Sequence, residues 1–169
     1  MLKEQDWTAT WQYFTGSTKL DYHIIEGLTA SVMGSIVTNS WRNNSYKTRF
    51  YPVALGTNGT ADITSHLNIS KQLDVNFNYI KSFGFHNLDV MLGYSYYDNM
   101  DKEHSSSNSN FDTDFFGYNN IGAGYYLAEG KAAMNSWKTS NKLISFFTRV
   151  QYNFNSKYLL SASLRREGS

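Results

Sequence analysis

The sequence contains no cysteine and a single proline, Pro52, among its 169 residues. Without cysteine, the chain forms neither a disulfide framework nor a metal site built on thiolates. Charged residues are also scarce, at 17 % of the chain against about 25 % in an ordinary soluble domain. Because the formal net charge is only +1, the sequence predicts no electrostatic attraction to nucleic acid or to an anionic membrane surface.

Long apolar runs are missing as well. Nowhere do about 20 consecutive apolar residues occur, which excludes a transmembrane helix, and the N-terminus has no apolar segment of the secretory type. No segment shows a convincing helical period of about 3.6 residues. Aromatic residues, in contrast, make up 17 % of the chain. Membrane crossing by β-strands remains open on this composition.

The clearest periodicity is an alternation of apolar and polar residues from Asp62 to Tyr79. Its odd positions are Ile63, Ser65, Leu67, Ile69, Lys71, Leu73, Val75, Phe77 and Tyr79. A period of two predicts an extended strand with one apolar and one polar face. The alternation lasts about three times as long as the usual soluble strand of ~5–6 residues, which favours a strand that crosses a membrane or projects beyond it.

The same alternation predicts five more strands, at residues 19–25, 28–37, 88–97, 144–154 and 158–164, with 7–14 as a further candidate. Short connections at 26–27, 82–87 and 155–157 predict three hairpins, while long segments cover 39–61 and 98–141. Loops beyond about 12–15 residues are uncommon in compact soluble domains. Tight turns alternating with long extracellular loops are typical of outer-membrane barrels.

Six strands leave two open edges, and an unpaired backbone group in hydrocarbon costs several kcal/mol. Since the smallest bacterial single-chain barrels have roughly 8 strands, we expect these strands to belong to a larger barrel. Aromatic residues near the predicted strand ends suit two interfacial girdles or, equally, the core of a soluble sandwich. They are Tyr22, Trp41, Phe83, Phe85, Tyr96, Tyr97, Phe154 and Tyr158.

The closing stretch "ISFFTRVQYNFNSKYLLSASLRREGS" resembles a segment of SusC/RagA-type TonB-dependent outer-membrane receptors. The matching residues are Phe147, Arg149, Val150, Tyr152, Lys157, Tyr158, Leu159, Leu160, Arg165, Arg166, Gly168 and Ser169. Glu167 stands where the family most often has Asp. The stretches "YIKSFGFHNLDVMLGYS" and "LDYHIIEGLTAS" are similar to two further segments, and all three occur in the family's order.

The resemblance implies an all-β fold of antiparallel up-and-down strands in a transmembrane barrel of about 22 strands. Residues 1–169 would be a partial barrel domain without plug, TonB box or signal peptide. The implied function is nutrient import, of oligosaccharides or peptides, across the outer membrane of a Gram-negative, Bacteroidetes-like cell. The implied partners are a SusD-like surface lipoprotein, TonB acting through the plug, outer-membrane lipid and an extracellular glycan or peptide.

No arrangement of side chains indicates an enzyme, a cofactor or a metal site. The four histidines lack metal-ligand spacing, and Asp112 with Asp114 makes too small a set for calcium, so a solvated acidic loop is expected there. We expect His86 to make a hydrogen bond that stabilises a turn. The glycines of "GYNNIGAGYY" lack the spacing of a nucleotide-binding loop.

Four residues of the second long segment are predicted to contact a ligand: Tyr118, Asn119, Tyr125 and Trp137. Their flat rings and amide groups suit stacking on sugars and hydrogen bonding to hydroxyls, although a structural role at a barrel rim also fits them. Two other functions stay open at this point. One is a soluble carbohydrate-binding β-sandwich, and the other is a small structural outer-membrane barrel of roughly 8 strands.

Overall fold

Six long β-strands dominate the computed structural model, which describes residues 4–169. They are β1 (Gln5–Ile25), β2 (Leu28–Lys47), β3 (Thr60–Phe83), β4 (His86–Ser109), β5 (Ala133–Phe154) and β6 (Tyr158–Gly168). All six belong to one sheet in which each strand lies beside its neighbour in the chain. The predicted all-β, up-and-down architecture is confirmed. Among the described residues, no helix is long and apolar enough to cross a membrane.

Tight turns join the strands at 26–27, 84–85 and 155–157, as predicted. The first turn requires glycine, because Gly27 has a φ of 82° and a Cβ there would lie 2.2 Å from the carbonyl oxygen of Ile80. The Ile80 amide donates to the Gly27 carbonyl at 2.7 Å, which ties this turn to β3. In the third turn, the Asn155 amide donates to the carbonyl of Phe85 at 2.8 Å.

The strands are much longer than predicted. β1 has 21 residues and includes 7–14, so that segment is the beginning of β1 and not a separate strand. The segments between strands shrink to 48–59 and 110–132, which contain short 3-10 helices at Pro52–Ala54 and Gly117–Ala123. The alternation fades before the strands end, although the backbone pairing continues, and the ends of β2 and β3 bury Tyr46 and Ala61.

This sheet also decides between the alternative folds. A β-sandwich needs two packed sheets of short strands, whereas residues 4–169 form a single sheet with strands of up to 24 residues. The small barrel needed additional strands in the long segments, and the described residues contain none there. Neither alternative fits the structure.

The two faces of the sheet differ in chemistry. In the β5–β6 pair, Val150 lies opposite Ala162 and Tyr152 lies opposite Leu160, whereas Gln151 between them lies opposite Ser161. We call these the apolar face and the polar face. The tilted rings of Tyr94 and Phe146, with centroids 5.2 Å apart, continue the apolar face across β4 and β5. Contacts between polar residues of β3 and β4, such as the 2.8 Å hydrogen bond from Ser70 to Asn99, continue the polar face.

The chain divides into two compact units. The loop unit comprises residues 4–13, 38–68 and 101–139 and contains both long connections. Its core consists of the buried residues Tyr46, Ala61 and Phe111, against which Tyr118 and Ile121 pack. The rings of Tyr46 and Phe111 meet edge to face with centroids 5.5 Å apart. The long connection 110–132 is therefore a packed element.

The turn unit comprises residues 14–37, 69–100 and 140–169 and contains the three tight turns. Here the polar face is closely fitted, since a Cβ added to Gly93 would lie 2.1 Å from the ring of Phe147. The apolar face leaves large side chains uncovered, with Leu20 and Leu164 each 71 % exposed. These exposed residues repeat along the strands as the alternation predicted.

The girdle prediction was partly wrong. Phe83, Phe85, Phe154 and Tyr158 do lie at the tight turns, with Tyr22 close to one. Tyr96 and Tyr97 lie inside β4, because that strand continues to Ser109. Trp41 stacks on His66 of the polar face, which excludes a position on the apolar face.

Candidate ligand-contact site

Tyr118 and Asn119 lie in the short 3-10 helix of the loop unit. Tyr118 is half-buried against the core, and its hydroxyl lies 3.1 Å from the hydroxyl of Thr8 on β1, within hydrogen-bond distance. The backbone amide of Asn119 donates to the Phe116 carbonyl at 3.0 Å and so stabilises this 3-10 helix. The side chain of Asn119 is exposed. Of these two predicted contact residues, Tyr118 has a structural role that accounts for its ring.

Tyr125 lies further along the same connection and is 49 % exposed. Its hydroxyl donates to Oδ2 of Asp112 at 2.9 Å. This hydrogen bond to a carboxylate raises the pKa of the Tyr125 phenol above its usual range. The phenol therefore stays protonated at neutral pH, and one side of the ring remains open to solvent.

Asp112 and Asp114 both anchor this connection, so the predicted solvated acidic loop is wrong for Asp114. Its Oδ1 accepts a 2.8 Å hydrogen bond from the Tyr46 hydroxyl, and its Oδ2 lies 3.2 Å from Nε of Arg49. These contacts join the two long connections of the loop unit. Both carboxylates thus accept protein donors, Asp112 from Tyr125 and Asp114 from Tyr46 and Arg49.

Trp137 lies on β5 within the loop unit, and its ring is 39 % exposed. The centroid of this ring lies 6.1 Å from that of His66 on β3. A cavity of about 540 Å³ adjoins the two rings. Its lining comprises Ser65, His66, Leu67, Lys102, Glu103, His104, Ser136, Trp137 and Lys138. Trp137 is thus the predicted contact residue that borders a cavity.

His66 and Trp137 belong to a longer row of rings, which we call the aromatic row and which consists of Trp11, Trp41, His66 and Trp137. Trp11 and Trp41 lie on β1 and β2, with centroids 6.0 Å apart and a tilt of 39°. Trp41 and His66 are stacked at 5.2 Å, with an angle of 12° between the ring planes. The row thus takes its members from four strands of the loop unit.

Asp101 of β4 supports the centre of the row. Its Oδ1 lies 2.7 Å from Nε2 of His66, and both side chains are largely shielded from solvent. This close approach restricts the position of the imidazole ring. The two ends of the row are more open, since Trp11 is 67 % exposed. The arrangement therefore presents rings to a ligand at its ends and a fixed stack in its middle.

Sequence analysis found only part of this row. It placed His66 on the polar side of β3 and selected Trp137, but it gave Trp11 no role and assigned Trp41 to a girdle. Both tryptophans could have been found by counting every second residue along β1 and β2, because both have odd residue numbers. The weak alternation of these segments concealed it.

No metal centre is formed among residues 4–169, where no three His, Asp or Glu side chains gather. His86 begins β4, and its Nδ1 lies 2.5 Å from the Tyr152 hydroxyl on β5. Its ring also stacks on Phe83 with centroids 5.0 Å apart. The predicted stabilising hydrogen bond is confirmed, but it reaches across to a neighbouring strand instead of staying within the turn.

Comparison with known proteins adds to this picture. No family model matches the chain. TonB-dependent receptor P3 of Formosa agariphila is 28 % identical over 149 residues, which cover 88 % of this chain and 14 % of that receptor. The chain thus spans about one seventh of the length of this curated relative.

Solved structures match over nearly the whole chain. A chain of the RagAB peptide transporter superposes with a TM-score of 0.87 at 17 % identity, covering 98 % of this chain and 18 % of that one. The siderophore receptor PiuA from Acinetobacter baumannii matches with a TM-score of 0.52 at 13 % identity, over 94 % of this chain and 25 % of the receptor. The resemblance drawn from the sequence is confirmed: the chain has the fold of a stretch of β-barrel wall of SusC/RagA-type TonB-dependent receptors.

Proposed function

We propose that residues 1–169 are a partial barrel domain of a TonB-dependent outer-membrane importer of the SusC/RagA type, which takes up oligosaccharides or peptides. The observation that carries this proposal is the match of all six strands to a chain of the RagAB peptide transporter. This chain contributes a section of the barrel wall and no catalytic group. Its apolar face meets lipid, and its polar face lines the solute path.

The division of the apolar face supports this assignment. On β1, even-numbered Phe14, Leu20, Tyr22 and Ile24 lie in the turn unit, whereas Thr8 and Thr10 lie in the loop unit. A lipid-facing strand segment alternates over about 10 residues. The turn unit therefore has the strand length that a bilayer requires, and the loop unit carries the part of the wall exposed to water outside the cell.

Within this wall, the predicted contact residues Tyr118, Asn119, Tyr125 and Trp137 contribute unequally. Trp137 is favoured because it borders a cavity beside other rings. Tyr125 and Asn119 offer an exposed ring and an exposed amide. Tyr118 is the weakest candidate because its hydroxyl already has a partner in Thr8.

The partners follow from the importer assignment. A SusD-like lipoprotein covers the extracellular end, and TonB acts through a plug that lies outside these residues. Outer-membrane lipid surrounds the apolar face, and a glycan or peptide is the ligand. The organism of the curated relative supports a Bacteroidetes-like, Gram-negative cell. The proposed function involves no nucleic acid partner.

Uptake by the complete receptor tests the proposal. Cells that express it should accumulate a radiolabelled oligosaccharide or peptide pool, and deletion of the receptor gene or of TonB should each abolish that uptake. Accumulation that survives either deletion would contradict the importer assignment. Comparing the two pools in the same cells then decides between sugar and peptide.

A further inference from the structure

We propose that the loop unit binds the phosphate of a lipid headgroup through a surface that we call the outer face. The outer face consists of six residues of β3, β4 and β5 that line the cavity of about 540 Å³: Ser65, Leu67, Lys102, His104, Ser136 and Lys138. All of them lie in the loop unit. This inference rests on the proposed function, in which lipid surrounds the apolar face.

Strand alternation places the two lysines on the same side of the sheet as the apolar face. Lys102 lies eight residues from Tyr94 along β4, and Lys138 lies eight residues from Phe146 along β5. The rings of Tyr94 and Phe146 meet on the apolar face. Since side chains alternate between the faces of a strand, an even separation keeps both lysines on that side. Glu103, the acidic residue of the cavity lining, stands on the polar face.

Strand pairing brings the two lysines to neighbouring positions. Counting the same number of residues from Tyr94 and from Phe146 along antiparallel strands leads to Lys102 and Lys138 side by side. Adjacent strands lie about 5 Å apart, and like charges at opposite positions destabilise a sheet. Among residues 4–169, no ion pair involves either lysine. An anion between the two ammonium groups offsets this repulsion.

The groups of the outer face suit a phosphate. A lysine ammonium is a compact charge with three hydrogen-bond donors, which phosphate oxygens accept. His104 and Ser136 add an imidazole N–H and a hydroxyl beside the lysines. The side chains of Lys102, His104 and Lys138 are exposed, so a headgroup can reach them.

The apolar member of the outer face favours a lipid over a soluble anion. Ser70 on β3 donates to Asn99 on β4 at 2.8 Å, which aligns these two strands. Counting three residues along each strand from that pair places Leu67 beside Lys102 on the outer face. An apolar side chain next to a cation matches a molecule with a charged head and an apolar tail.

An acidic protein segment is the competing occupant, because carboxylates also pair with lysine. Exposed ion pairs of that kind contribute little in water. A lipid phosphate, in contrast, is held at the membrane surface by its acyl chains, which raises its local concentration. The outer face continues the apolar face along the same strands, so lipid is the neighbour that we assign to it.

Lipid binding by the purified complete receptor tests the inference. Phosphatidic acid and phosphatidylcholine with identical acyl chains are titrated into receptor in nonionic detergent, and bound lipid is counted by native mass spectrometry. Phosphatidic acid should bind more tightly. Lys102→Gln and Lys138→Gln should each weaken its binding by about fivefold. Lys102→Arg should retain the binding because the charge is kept.

Lys131→Gln is the matched control. Lys131 is an exposed lysine of the loop unit outside the outer face, where it pairs with Glu129 at 2.7 Å, so its loss should leave the lipid affinity unchanged. Equal affinity for the two lipids, or unchanged phosphatidic acid binding in both glutamine variants, would overturn the inference.

Two competitors separate the lipid from other anions. Inorganic phosphate and hexaglutamate should displace phosphatidic acid only at much higher concentrations than the lipid itself. Displacement by inorganic phosphate at an equal concentration would assign the outer face to a soluble anion, and displacement by hexaglutamate would assign it to an acidic protein segment. The importer assignment fails separately, if nutrient uptake by the wild-type receptor is independent of TonB.

Discussion

The loop unit and the turn unit both contain parts of β1 to β5, while β6 lies in the turn unit alone, and the two units are stabilised in different ways. The loop unit buries Tyr46, Ala61 and Phe111 in a core of its own and joins its two connections through Asp114. The turn unit buries almost nothing on its apolar face, where Leu160 is 67 % exposed. The loop unit has a buried core, whereas the turn unit has an apolar face whose large side chains are exposed.

In the proposed barrel, this difference follows from the surrounding solvent. In water, an element is stabilised by moving apolar side chains to its inside, as the loop unit does. In hydrocarbon, apolar side chains are favourable on the outside, and the backbone pairing of the strands becomes the main requirement. The position along each strand therefore decides which rule applies, although the backbone geometry stays the same.

Removing the core ring of the loop unit should have the largest effect. Phe111→Ala should destabilise the packing of connection 110–132 by about 3–5 kcal/mol, because the ring is 3 % exposed and leaves a cavity. Hydrogen exchange of the complete receptor should show amides 108–132 losing protection while the turn unit keeps its own.

Phe115→Ala is the control for this substitution. Phe115 belongs to the same connection but is 86 % exposed, so its loss should change stability by no more than about 0.5 kcal/mol. Equal effects of the two substitutions would mean that the loop unit has no true core.

A charge on the apolar face of the turn unit should have the next largest effect. Leu92→Arg should reduce folding of the complete receptor into a bilayer by about 2–4 kcal/mol, the cost of an arginine near the membrane centre. The measurement is the folded fraction in urea titrations with lipid vesicles. Leu92 is 55 % exposed, so the penalty arises from the lipid and not from lost protein packing.

Leu55→Arg provides the comparison in the loop unit, where Leu55 is 67 % exposed. We expect it to fold almost as the wild type does, because water surrounds this side chain. If Leu92→Arg were tolerated equally well, the apolar face of the turn unit would not be a lipid-facing surface.

The smallest effect concerns Tyr125 and pH. Its folded-state pKa is raised by the hydrogen bond to Asp112, so the stabilisation is complete below the usual tyrosine pKa and is lost as the pH rises through the folded value. A tyrosinate absorbance titration of the receptor should contain late-titrating tyrosines, because burial also raises the pKa of Tyr46, and Tyr125→Phe should remove one of them. If Tyr125→Phe instead removed a group that titrates in the ordinary tyrosine range, the hydrogen bond to Asp112 would be excluded.

Sequence analysis predicted the strands best where their alternation is strongest. The turn unit has one apolar and one polar face, so residues 88–97 and 158–164 carry a clear period of two. Hairpins were predictable because tight turns restrict which residues fit, as at Gly27. In the loop unit, the period is clear in β3 but weak in β2 and β4, and residues 39–47 and 101–109 were taken for loops.

The site was predicted only in part for a related reason. Trp137 could be selected by its chemistry, but its neighbourhood depends on residues that lie far away in the chain. Trp11, Trp41 and His66 come together because strand pairing places them at the same level of adjacent strands. Such alignment depends on the lengths of strands and connections, which local patterns do not reveal.

The sequence by itself determined six antiparallel strands, two chemically different faces and the position of every tight turn. These are local properties, since side-chain alternation and turn geometry involve residues close together in the chain. Only the tertiary structure decided how far the strands extend, how connection 110–132 packs and which rings form the row. Those features arise from pairing and burial between distant segments, whose energies are set by contacts that no short stretch contains.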